Sequence, residues 1–119
     1  MDPYIYKVLR PHEWDALTSD GIFKGSVHDK VDGFIHFSTR SQLRETIEKH
    51  YQGVDKIIIV EVDAHISGPA LKWEPSRGGD LFPHLYADLL LSTRTRDWVL
   101  IRNQNGSYDY PKDILSPDA

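Results

Sequence analysis

Residues 33–42 read GFIHFSTRSQ. Gly33–Ser38 has the composition of a buried strand, and the residues after Ser38 have the composition of a helix. Successive side chains of a strand alternate between its two faces. Phe34, His36 and Ser38 therefore share one side, and Ile35 and Phe37 share the other. The apolar pair anchors the strand in a core, while an imidazole and a hydroxyl point elsewhere. Thr39 and Gln42 have the spacing of a capping box, and Leu43, Ile47 and Tyr51 form a stripe of helical period that Gly53 ends.

Nearer the N-terminus, Tyr4 to Leu9 alternates as a first strand. Pro11 opens a short helix with Trp14 and Leu17 on its inner face and Gly21 after its end. Gly25 to Gly33 reads as a polar connection. KIIIVEV, residues 56–62, is rich in β-branched residues and reads as a central strand. Residues 67–83 read as a Gly/Pro-punctuated loop around LKWEP. Leu85–Leu91 and Trp98–Arg102 read as further strands, and Asn105-Gly106 is a hairpin signal with Tyr108 and Tyr110 on the returning arm. Aromatic residues exposed near that hairpin are one route to dimerisation, with the oligomeric state otherwise open. The tail SPDA is expected to fray. Two helices in the N-terminal half followed by a nearly all-β second half predict an α+β domain, not a doubly wound parallel sheet.

The chain has 119 residues, the size of a single domain over 1–119. It has no cysteine, which removes disulfides, thiolate catalysis and cysteine-ligated zinc. The N-terminus lacks an export signal and no apolar run approaches membrane-spanning length, so a cytoplasmic, non-membrane protein is expected. A net charge of −4 disfavours duplex nucleic acid as a partner, yet leaves room for a small anionic ligand in a local cationic pocket.

GGDLFPHLY, residues 78–86, repeats the grammar of the opening stretch: Phe82, His84 and Tyr86 share a face if the segment is extended. Two faces that each carry an aromatic ring, an imidazole and a hydroxyl would together line a small-molecule pocket. A strand histidine is equally well a core residue with paired nitrogens, and Ser38 is equally well a helix cap. The pair of segments favours a site. Glu74, beside Trp73, is expected to be partly desolvated, with its pKa raised. Arg77 precedes Gly78-Gly79 on a turn suited to anion binding, although pairing with Asp80 is the plainer reading. No two histidines have chelate spacing. His36, His84 and Glu74 are the one candidate three-ligand set, and no metal site is expected. His12, His28, His50 and His65 are expected to have no specific role.

The order YIYK, then DGFIHFSTRSQLRETIEKHY, then WEPSRGGDLFPHLY closely resembles a bacterial family catalogued as domain of unknown function 952, over about residues 4–91. The family's marks fall on Gly33, Phe34, Ile35, His36, Ser38, Gln42, Glu74, Phe82, Pro83, His84 and Tyr86. Members commonly continue Tyr-Gly-Pro-Leu where this chain has Tyr86-Ala87-Asp88-Leu89, so the turn after Tyr86 is expected to differ. The resemblance implies an ADP-ribosyltransferase-like fold, small curved sheets around a nucleotide-sized cleft. In enzymes of that fold a strand histidine holds a ribose hydroxyl, an aromatic residue stacks on nicotinamide and a glutamate sits near the reacting carbon.

The expectation is thus a cleft lined by His36, Ser38, Glu74, His84 and Tyr86 that binds a small molecule related to NAD or ADP-ribose. If it is catalytic, glycosyl or phosphoryl transfer is expected, with His36, Glu74 and His84 as catalytic groups and Phe34, Ser38, Arg77, Phe82 and Tyr86 as ligand contacts. A non-catalytic binding or sensor module and a metal-dependent hydrolase are the rivals. No cofactor is named by the sequence.

Overall fold

A computed structural model describes residues 3–115, apart from the side chains of Arg77 and Leu115. In chain order the elements are β1 (Tyr4–Leu9), α1 (Pro11–Asp20), β2 (Ile22–Phe23), α2 (Val27–Asp32), β3 (Ile35–His36) and α3 (Arg40–His50), followed by β4 (Lys56–Asp63), β5 (Leu71–Pro75), β6 (Leu81–Leu85), β7 (Leu89–Leu90), β8 (Arg94–Ile101) and α4 (Lys112–Leu115). They make an α+β fold with three antiparallel sheets, ordered β1-β4-β8, β2-β7 and β3-β6-β5.

β4 is the central strand that its β-branched run predicts, and its two faces feed separate cores. Ile57 and Ile59 join Tyr6, Val8, Leu43 and Ile47 under α3. Ile58, Val60 and Val62 join Ile5, Leu9, Leu17, Ile35 and Phe37 on the other side. Period-two alternation thus puts apolar layers on both sides of one sheet. α3 is capped by Thr39, whose hydroxyl accepts from the Gln42 N–H while the Gln42 side chain accepts from the Thr39 N–H.

The structure corrects several boundaries. The expected polar connection 25–33 contains α2, capped by Ser26 and ended by Gly33 at φ 87°. The expected loop 67–83 contains a β-hairpin, with Trp73 opposite Pro83 and Glu74 opposite Phe82. Its turn needs left-handed backbone at Gly78 and Gly79. β6 stops at Leu85, so the expected strand 85–91 is reduced to the short β7. β8 starts at Arg94, earlier than expected, because its polar start is an edge strand, where charged side chains are tolerated. The hairpin tyrosines are not exposed: Tyr108 is buried and Tyr110 packs against the α3-side core. The expected fraying of SPDA falls on residues 116–119, outside the described residues.

The opening stretch is shared between two sheets. Ile35 and His36 pair with Leu85 and His84 of β6. The Phe37 N–H donates to the Pro83 carbonyl at 3.0 Å, and Ser38 then exchanges both backbone hydrogen bonds with Tyr6 of β1, each 2.8 Å. One extended segment therefore joins the β3-β6-β5 sheet to the β1-β4-β8 sheet. The hollow beside that crossing is where the candidate site lies.

Candidate functional site

A cavity of about 550 Å³ lies between β1, α2, β3, α3 and β6, within the roughly 300–1,000 Å³ of small-molecule sites. Lys7, Asp29, His36, Ser38, Phe82 and His84 line it, and the exposed side chains of His28, Asp32, Lys49 and His50 reach it from the solvent side.

The two strand histidines are direct cross-strand partners, with ring centroids 5.7 Å apart and planes at 72°. Each is oriented by a carboxylate at Nδ1. Asp29 Oδ1 lies 2.6 Å from His36 Nδ1, and Glu74 Oε1 lies 2.8 Å from His84 Nδ1. An ionised carboxylate only accepts, so both Nδ1 atoms are assigned as donors. For His84 this leaves Nε2 as the acceptor nitrogen. That atom has no protein partner among the described residues, where no buried polar side-chain atom is left unpaired, so it faces the cavity. His36 Nε2 meets Asp32 Oδ2 at 2.9 Å.

Asp29 is the anchor on the α2 side. Its carboxylate accepts from Lys7 Nζ at 2.9 Å and from the backbone N–H groups of Ser26 and His36 at 2.9 and 3.1 Å. Burial alone would raise its pKa, but the His36 hydrogen bond and the Lys7 charge outweigh burial and hold the carboxyl well below the usual range. Burial pushes the Lys7 ammonium below its ordinary value, against the opposing pull of Asp29. The capping box of α2 and the orientation of His36 thus share one side chain.

Glu74 corrects the expected raised pKa. The Tyr86 hydroxyl donates to its Oε1 at 2.7 Å, and this bond, with that from His84, lowers the Glu74 pKa and raises that of Tyr86. Trp73 is on the opposite strand face and half-exposed, so it does not desolvate its neighbour.

Of the expected site residues, His36, Ser38, Phe82 and His84 line the cavity. Ser38 Oγ is held 2.9 Å from Thr46 Oγ1 on α3. Phe34, Glu74 and Tyr86 instead form the backing of His84: Phe34 stacks on its ring at 3.9 Å and sits 5.3 Å from Tyr86, outside the main cavity. Arg77 opens a short helical turn, and its side chain lies outside the described residues. The candidate set His36, Glu74 and His84 does not form a compact donor group, because Glu74 is engaged at His84 Nδ1.

Sequence reading missed Lys7, Asp29, Asp32, His28 and His50. His28 stacks on His36 at 4.6 Å and lies 6.3 Å from His50, so both rings stand at the mouth of the cavity. Ser26 and Asp29 at capping-box spacing were the signal for α2, and α2 brings Asp29 and His28 to the cavity.

These features define an α+β domain with a cavity framed by two carboxylate-oriented histidines. A family model described as protein of unknown function (DUF952) matches residues 8–96, and the chain belongs to that family. It is similar to protein CC0527 from Caulobacter crescentus. The crystal structure of that protein is 42% identical with a TM-score of 0.87, covering 93% of this chain and 97% of that one. Its solution NMR structure, also 42% identical, gives a TM-score of 0.82 over 98% and 100%. Among the curated proteins, none matches the chain.

Proposed function

We propose that the cavity binds a nucleotide-like small molecule related to NAD or ADP-ribose, in the cytoplasm, and that the fold is ADP-ribosyltransferase-like. The observation that carries the reading is the opposition of His36 and His84 at the cavity wall, each with a carboxylate fixing Nδ1. His84 Nε2 exchanges a proton with the ligand or accepts a hydroxyl hydrogen, and His36 orients the ligand at the mouth. Phe82 gives a base or nicotinamide ring an apolar surface. Arg10 and Lys49 bring positive charge to the same cavity and meet phosphate, a role first expected of Arg77. Glu74 and Tyr86 act through His84, as positioning residues. If turnover occurs, phosphoryl or glycosyl transfer is the reaction, with both histidines on one wall beside the transferred group.

Calorimetric titration with ADP-ribose, NAD and mononucleotides tests this. Saturable binding is expected with at least one of them, weakened at least tenfold in His36→Ala and His84→Ala. Absence of saturable heat with all of them overturns the reading. Mutation-sensitive binding without turnover assigns the cavity to a sensor or binding module.

A further inference from the structure

Three donors converge at the mouth of the cavity. His28 and Asp32 stand one turn apart on α2, and His36 Nε2 comes from β3. Asp32 Oδ2 lies 2.9 Å from His36 Nε2 and 3.6 Å from His28 Nε2, and one ligand atom from each residue falls within 4.8 Å of the other two. Two nitrogen or oxygen donors bound tetrahedrally at about 2.0–2.1 Å stand about 3.3 Å apart. The two shorter separations bracket that value. We propose that His28, Asp32 and His36 form a binding site for a borderline first-row divalent cation, with Zn²⁺ as its probe.

The donor set selects the class of ion. Two imidazoles and one carboxylate suit such ions, whereas Ca²⁺ and Mg²⁺ prefer oxygen donors throughout. A second, independent observation is the support behind His36. Its Nδ1 is 2.6 Å from Asp29 Oδ1, and Asp29 is buried and fixed by Lys7 and the Ser26 N–H. A carboxylate behind a ligating histidine sets the tautomer and aims Nε2 at the ion. The cation would lie between Nε2 and Asp32 Oδ2, which stand 2.9 Å apart. His28 is exposed and stacked on His36, with its Nε2 3.6 Å from Asp32 Oδ2. Three protein ligands leave a coordination position open to the cavity, where it receives a water or an anionic oxygen. The inference stands beside the nucleotide reading and does not rest on it.

The test is calorimetric titration of the full chain, stripped with EDTA and dialysed, with ZnCl₂. One equivalent is expected to bind. His28→Ala and Asp32→Asn are each expected to weaken binding at least tenfold, the double variant to abolish it, and His65→Ala to leave it unchanged. His28 and Asp32 are surface residues, and circular dichroism checks that their variants fold. X-ray absorption of the zinc-loaded chain is expected to show two imidazoles with oxygen ligands. Binding below one equivalent, or binding unaltered in the double variant, overturns the site. ADP-ribose titration of the zinc-free chain reports separately on the nucleotide reading.

Discussion

Lys7 is 4% exposed, and its ammonium is hydrogen-bonded to the carboxylate of Asp29. Removing one partner of a buried pair leaves the other charge uncompensated, which typically costs about 3–5 kcal/mol. Asp29→Ala is therefore expected to lose about that much stability in urea denaturation, and a loss below about 1 kcal/mol would show that the pair is not buried as described. Glu61, 1% exposed, shares the acid limb of stability with Asp29. Burial alone would raise its pKa, but hydrogen bonds from Arg96, Thr95 and Tyr6 outweigh burial and lower it. A carboxyl whose folded pKa lies below its unfolded value stabilises fully above the unfolded value, about 4.3. That stability is lost as pH falls toward the folded pKa. The melting temperature is expected to decline below about pH 4, and Glu61→Gln to flatten that decline while lowering stability at neutral pH. Two-residue spacing alone made His36 and His84 stand out, and both line the cavity. Their Nδ1 partners were less legible: Glu74 was seen as a candidate but in the wrong environment, and Asp29 lies on an element that the sequence reading did not find.

Among the secondary-structure elements, α2 holds the site together and is the piece the sequence hid best. Its apolar residues, Val27 and Val31, are exposed, so no hydrophobic stripe faces a core and periodicity is silent. Its signals are local: the Ser26–Asp29 capping box and the left-handed Gly33. Ser26→Ala is expected to cost about 1 kcal/mol, read from the midpoint of chemical denaturation. Because α2 carries His28, Asp29 and Asp32, the same variant is expected to weaken ligand binding at the cavity more than its stability loss alone would. The start and inner face of α3 were legible because cap and stripe agree, but the helix ends at His50, before the expected Gly53. Leu43 is fully buried in the core that α3 covers, and Leu43→Ala is expected to cost about 2–5 kcal/mol. β5 and the start of β6 fall in the expected loop 67–83 because prolines stand within them. Pro83 is tolerated because it joins the neighbouring backbone through its carbonyl, which accepts from Phe37.

For the molecule as a whole, the α+β class was legible from the order of helical and β-rich segments. The division into three sheets was not, since it depends on register between distant strands. The crossing of residues 35–38 from one sheet to the other creates the cavity, and the pairing of His36 with His84 puts the two imidazoles at its wall. A ligand that binds only this folded arrangement stabilises it by mass action. ADP-ribose at one hundred times its dissociation constant is expected to raise the unfolding free energy by about 2.7 kcal/mol, and at the same concentration to give little stabilisation to His84→Ala.

Imidazole nitrogen-15 NMR during titration with ADP-ribose is the sharpest probe of two polar faces meeting to hold a ligand. The expected result is saturable movement of the His36 and His84 signals with a common midpoint, while those of His12 and His65 stay in place. Saturation that leaves both strand histidines unmoved, or spectra that never change, would contradict it.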